Sequence, residues 1–250
     1  MYFPGQSADQ GPPSLRTALA TIHRDREWWR KVLIGGLVAL TGVGILFVEG
    51  YGIESTDNTR QGYPTPLPRW RDWSIKAIQG AFGLIIDFLY FVFPVLFGGL
   101  LWGCSAIAVT VFGGAGLLRF VAFGVLGIVL GWLVVMWLLG VSPVAKQFYV
   151  NEGIPQDALS RKVFRTVFAA PARGLYLRAR LHSAPLYVVS LAILWGASYS
   201  QRWGTWLALL LLWLGLSALL YARLITIQLY QAATQQIERR RWEARRTARA

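Results

Sequence analysis

The sequence predicts an all-α, polytopic helical membrane protein. Four full spans form two helical hairpins, joined by one re-entrant or short fifth membrane segment. Three observations lead there. Of 250 residues, 55% are hydrophobic and only 15% charged, with mean hydropathy +0.44, whereas soluble domains carry about 25% charged residues. There are 12 Trp, the side chain favoured where an apolar ring meets hydrated headgroups. The net charge is +13, and its basic residues flank apolar runs, as positive-inside loops require. That placement points to anionic membrane lipids as partners and not to nucleic acid.

Taken in order, residues 1–14 hold neither a basic n-region nor an apolar h-region, and read as a disordered tail and not a signal peptide. Residues 15–31 predict an interfacial helix, N-capped by Ser14. Its end, Arg26-Glu27-Trp28-Trp29-Arg30-Lys31, is an anchor at the lipid edge, with Trp28 and Trp29 as interfacial rings. The apolar run 32–48 follows, before Glu49 interrupts it. As a helix it measures about 25 Å, short of a hydrocarbon core of about 30 Å. Gly42 and Gly44 sit near its middle and permit a turn, so segment 32–53 is expected to re-enter with a bend near residues 41–44. A Pro-rich connector then leads through Trp70 and Trp73, again expected as interfacial anchors, to four stronger runs. These are 81–103, 117–141, 184–200 and 203–223. Gln201 and Arg202 alone separate the last two, which makes a tight hairpin. Residues 234–250 read as a basic cytoplasmic helix.

Charge fixes the expected orientation. Five Lys and Arg precede residue 32, four lie in 54–76, seven in 142–183 and seven in 223–250, but one in each turn at 112–119 and 200–203. With the first run re-entrant, every rich segment falls on one side, so both termini are expected in the cytoplasm of a multi-pass cell-membrane protein. Five spans would place the longest basic loop and the tail opposite the N-terminus. Gly62-Tyr63-Pro64 and Gly153-Ile154-Pro155 each precede a cationic stretch and a hairpin, a weak echo of two parallel repeats.

Two stretches, DREWWRKVLIGG at 25–36 and GYPTPLPRWRDW at 62–73, resemble hallmark segments of the bacterial and archaeal membrane family called domain of unknown function 4013 (DUF4013). The similarity extends over roughly residues 15–233 and is most specific in the Pro-Leu-Pro-x-Trp connector. The resemblance implies fold and topology, with no activity to carry over.

The residues that carry chemistry are few. His23 and His182 lie in polar segments without a second ligand at metal spacing, so no metal site is expected. The cofactor is left unknown, with pigment contact through Trp or backbone still open. Cys104 reads as a buried small hydrophobe. Ser105 and Ser190 lack a matching base and are expected to bond their own helices. The carboxylates in or beside apolar runs are Glu49 and Asp87. Charge inside a membrane costs about 2.5–3.5 kcal/mol on insertion scales, which makes Asp87 and Glu49 a candidate intramembrane polar site. Either acid could pair with Arg119 or Lys76 or relay protons. Glu49, at the mouth of the re-entrant segment, reads as wet, and Asp87, about one and a half turns inside its span, as meeting a neighbouring helix or a Trp N–H. Gly127 and Gly131 form a Gly-x-x-x-Gly seam for helix packing. Arg239, Arg240, Arg241, Arg245 and Arg246 are candidates for anionic lipid or partner contact.

No nucleophile–base pair or catalytic residue can be proposed, so the expected function is non-enzymatic. The first reading is an accessory or scaffolding subunit that packs against other integral membrane subunits through Gly- and Trp-rich faces. The second is a transporter of a small solute, lipid or ion, using Asp87 in a cavity between the hairpins. A water-filled midplane cavity lined by Asp87 favours the second; a wide, flat apolar face favours the first.

Overall fold

The structure, a computed structural model, describes residues 14–112 and 115–247, helical almost throughout and without a strand among them. Most of the expected N-terminal tail, Gly113, Gly114, the Arg119 side chain and the last three residues lie outside that description. Helix α1 (Leu15–His23) starts where Ser14 Oγ accepts from the Thr17 amide, the expected cap. The chain then forms α2 (Trp28–Ala39) and α3 (Gly44–Gln61). Next come α4 (Trp73–Asp87), a π-helical turn (Phe88–Val92) and α5 (Phe93–Phe112) in one continuous rod. Helices α6 (Ala115–Leu139) and α7 (Val141–Glu152) follow. The short α8 (Pro155–Ala158) and α9 (Arg161–Phe168) precede the long α10 (Ala170–Ser200) and α11 (Thr205–Thr247).

Three helical stretches are long and apolar enough to cross a membrane: Trp73–Ala108, Ala172–Trp203 and Thr205–Thr247. A fourth counts if Phe123–Leu139 and Val141–Glu152, bent by 55°, act as one broken span. The burial pattern agrees with lipid as the solvent. The most apolar helices, α5 and α6, are also the most exposed, with Phe120 at 78% and Ile128 at 74%. In water such a surface would far exceed the apolar patches that monomers tolerate. The buried core gathers instead around α1, α7–α9, the start of α10 and the second half of α11. Cys104 belongs to the exposed face and is not buried as the sequence suggested.

The element boundaries differ from expectation in a consistent way. The helices of the predicted spans at 81–103 and 184–200 begin earlier, at Trp73 and Ala170, and the nominally polar stretch 142–183 is itself mostly helix. The predicted span 117–141 ends sooner, because Gly140 takes a left-handed φ of 64° and turns the chain into α7. A side chain at Gly140 would also collide with the Tyr230 hydroxyl, so two constraints meet at one glycine. Helix α11 has 43 residues, or about 64 Å, roughly twice a hydrocarbon core. Its second half therefore carries the expected basic tail out of the span as one unbroken helix.

Helices α2 and α3 form a hairpin. The break falls at residues 40–43, where Gly42 has φ 72° and Thr41 Oγ1 receives the Gly44 amide. On the way in, the Trp28 ring lies tilted against Tyr221, Gly35 meets Leu220 and Gly36 meets Ser217. On the way back, Gly52 lies against Arg223, and Gln231 Nε2 donates to the Thr56 carbonyl. The segment thus runs along α11 in one direction and returns in the other. Its two ends are tied together. Lys31 Nζ donates to the Leu67 carbonyl at 2.9 Å, and Trp70 Nε1 donates to the Lys31 carbonyl at 2.8 Å. The two stretches that carried the family resemblance are therefore one structural unit, with Asp25 holding Lys31 at 2.6 Å beneath the connector.

The Gly-x-Pro echo has a structural counterpart. Gly62 and Gly153 end α3 and α7 with φ of 78° and 72°. Each of those helices is preceded by a left-handed glycine, Gly42 or Gly140, and followed by a connector and a long apolar helix.

Candidate functional site

The four elements α3, α4, α7 and α11 converge on a cluster of charges inside the bundle. Close backbone approach makes this possible. At Gly50 and Gly80, helices α3 and α4 come so near that a side chain on either glycine would strike the opposite main chain. One turn further, a Cβ at Gly83 would run into the Glu49 carboxylate, so glycine there provides the room for the acid. Glu49 is 1% exposed, not wet as the sequence suggested.

Asp87 ends α4 at the start of the π turn, where the altered helical register sets the direction of the following residues. Two residues beyond that turn, Pro94 has no N–H to offer the Tyr90 carbonyl, and Trp132 Nε1 of α6 donates there instead at 3.1 Å. Helix α7 presents Ser142 and Lys146, four residues apart and so on one face. Ser142 Oγ donates to Asp87 Oδ1, and Lys146 Nζ reaches Asp87 Oδ2 at 2.6 Å. The same ammonium pairs with Glu49 Oε1 at 2.9 Å, and Arg223 of α11 pairs with that oxygen too. Two carboxylates and two cations thus share one network, with Lys146 as the bridge. Removing such ions from water costs several kcal/mol each, recovered only when the pairing geometry is good.

The network is open on one side. A cavity of about 510 Å³ lies against it, lined by Asp87, Lys146 and Arg223 at mid-length. Leu216 and Leu219 line its apolar end, and Arg180 and Tyr230 its other end. The side chains of Asp87 and Arg223 keep 31% and 27% of their surface accessible, so both face it.

The structure unites Glu49 and Asp87, which the sequence had only named separately, but their partners differ from those expected. Lys76 is bound to Glu54 at 2.6 Å and to the Arg71 carbonyl at 2.7 Å. The residues missed were Lys146, Arg223, Ser142 and Arg180. The signal lay in Arg223, a cation inside the apolar run Ala222–Ile225, and in Lys146, one turn past an apolar run. Both had been counted as loop charges.

The remaining candidates stand apart from this site. Gly127 and Gly131 lie on α6 with open space where a side chain would project, so their seam packs against nothing described within the chain. Trp29 and Trp73 are exposed, with Trp73 edge-on to Phe47 at 5.3 Å. Trp70 instead stacks on Tyr51 at 4.3 Å and holds the connector, and Trp28 packs between His23 and Tyr221. Arg240, Arg241, Arg245 and Arg246 are exposed on the C-terminal helix, with Arg246 over Trp242, while Arg239 is half-buried. Ser105 and Ser190 bond their own helices, as expected.

Among known families, the one described as "Protein of unknown function (DUF4013)" matches residues 33–199. That range holds Glu49, Asp87, Ser142, Lys146 and Arg180, but ends before Arg223. No curated protein and no solved structure matches the chain.

Proposed function

The chain belongs to the DUF4013 family, and from its geometry we propose that it takes a small solute, a lipid or an ion into the cavity beside Asp87, as a transporter does. The observation that carries this reading is the cavity of about 510 Å³ with Asp87, Lys146 and Arg223 on its wall. Ionisable groups at membrane depth are costly and, where present, face functional paths by default. A buried ion network is also a weak source of stability, since apolar residues of equal volume do as well or better. The proposed role is non-enzymatic, with both carboxylates held by cations or a hydroxyl.

The proposed topology follows the hairpin. Helices α2–α3 re-enter, while α4–α5, α6, α10 and α11 cross the cell membrane with both termini cytoplasmic. Support comes from the tie between Lys31 and the 67–70 connector, which brings the two ends of the hairpin together. The test of function is ion or proton flux in proteoliposomes holding the full chain, read with a pH-sensitive dye and a potential-sensitive dye. Wild type is expected to conduct above empty liposomes and Asp87→Asn to lose that flux while still folding. Equal flux in both would overturn the role of Asp87.

A second reading, the accessory subunit, is favoured by α5–α6. This pair is exposed along most of its length, and Gly127 and Gly131 face open space. If Gly127→Leu with Gly131→Leu releases the chain from a co-purifying membrane complex while Asp87→Asn is silent, that reading replaces the first.

A further inference from the structure

The cavity is chemically uneven, and the unevenness identifies its occupant. Its wall is mostly apolar and follows α11 from Leu216 to Tyr230, a path of about 21 Å. Leu216, Leu219, Leu220, Ala39 and Ile45 form the apolar end. At the other end stands Arg180, only 4% exposed. Its Nε donates to the Trp137 carbonyl, where α6 ends, at 2.9 Å. Its guanidinium carbon lies 4.8 Å from the Trp137 ring, 5.9 Å from Tyr187 and 5.5 Å from Tyr230. Among the described residues no carboxylate pairs with it. The helix end and the rings attract the cation, but neither neutralises it. Beside it the Tyr230 hydroxyl is buried next to the Arg180 guanidinium, with no acceptor for its own proton.

Counting the cavity and its network together, three cations (Lys146, Arg180, Arg223) face two carboxylates (Glu49, Asp87). An uncompensated buried charge is destabilising, and an anion would relieve it.

We infer that the cavity binds an amphiphile with one anionic oxygen head, a phosphate or a carboxylate, whose head meets Arg180 and Tyr230 and whose alkyl chain runs along Leu219 toward Leu216. Arg180 supplies the charge and a planar pair of terminal N–H groups suited to oxyanions. Tyr230 supplies a hydroxyl donor that the fold leaves unused. The same chemistry is shared by a lipid-derived amphiphile and by free phosphate, and the length and apolar lining of the cavity favour the amphiphile. This inference rests on the same cavity as the proposed function but concerns occupancy, not passage.

The experiment uses the full chain in nanodiscs and a long-chain alkyl phosphate with a diazirine near its chain terminus. Labelling is expected on α11 around Leu216–Leu220. Arg180→Gln should lower it by about tenfold, the worth of one charged hydrogen bond, and Tyr230→Phe should lower it less. Because Arg180 also closes the end of α6, Leu219→Trp provides a second arm. It fills the apolar end, leaves Arg180 intact, and should abolish labelling. The alcohol of the same chain should label about tenfold less than the phosphate, by the same reasoning. Unlabelled alkyl phosphate should compete and inorganic phosphate should not. Equal labelling by the alcohol, or unchanged labelling in folded Arg180→Gln or in Leu219→Trp, overturns the inference. Competition by inorganic phosphate as effective as by the alkyl phosphate makes the occupant a free anion, and also overturns it. Labelling without any flux in the liposome assay would leave this site standing and remove transport; flux without labelling would do the reverse.

Discussion

Replacing Lys146 with Met should destabilise the protein more than any exposed cation would. Lys146 is 10% exposed at its side chain and holds two acids, Glu49 at 2.9 Å and Asp87 at 2.6 Å. Deleting one member of a buried ion pair costs about 3–5 kcal/mol, because the survivor is left charged and dry. Here two features reduce that cost. Glu49 keeps Arg223, and Asp87 keeps Ser142 and can hydrate from the cavity, being 31% exposed. The lower end, about 3 kcal/mol, is therefore expected. At about 2–4 °C per kcal/mol for a chain of this size, that lowers Tm by about 6–12 °C. The assay is thermal unfolding in mild detergent, followed by Trp fluorescence. Lys162→Met is the control: its pair with Asp157 spans 3.6 Å with the lysine 72% exposed, worth about 0–1 kcal/mol. Equal Tm values for the two variants would refute the claim that Lys146 bridges the network.

Three further outcomes follow from the same geometry. With Cys104 replaced by Ala, cysteines at the exposed Thr65 and Gln156 should resist an impermeant thiol reagent in intact cells, while one at Arg202 should react. Reaction at both Thr65 and Gln156, with none at Arg202, would restore five spans. Gly36→Val should disrupt the seat of α2 on Ser217 and lower Tm, whereas Gly127→Ala, which meets open space, should leave it within about 1 kcal/mol of wild type; the reverse order would contradict the packing. Replacing the exposed Arg240, Arg241, Arg245 and Arg246 with Gln should weaken binding to anionic liposomes by about 1 kcal/mol per charge near the surface, and unchanged binding would exclude the tail as a lipid contact.

Much of the architecture was readable in order along the chain. The cap at Ser14, the break near Thr41–Gly44, the turn at Gln201–Arg202 and the apolar character of the runs 81–103 and 117–141 all depend on neighbours a few residues away. Charge counting was less secure. Lys76, Lys146 and Arg180 entered the topology argument as loop cations, yet all three are buried. A census of residue types cannot separate a solvated charge from one held by an acid elsewhere in the chain.

Composition and periodicity alone therefore determined that this is an all-helical chain built for lipid, because apolar length is a property of consecutive residues. They also singled out Glu49 and Asp87, since an acid in an apolar run is visible without any fold. Only tertiary structure decided what those acids do. Glu49 meets Lys146 and Arg223, and Asp87 meets Lys146, across sequence separations that no local pattern records. Glycines at 50, 80 and 83 let backbones approach closely enough to bury the network, and the left-handed turn at Gly140 brings α7 across to it. Those contacts depend on which helices become neighbours, and that is settled by packing the whole chain at once.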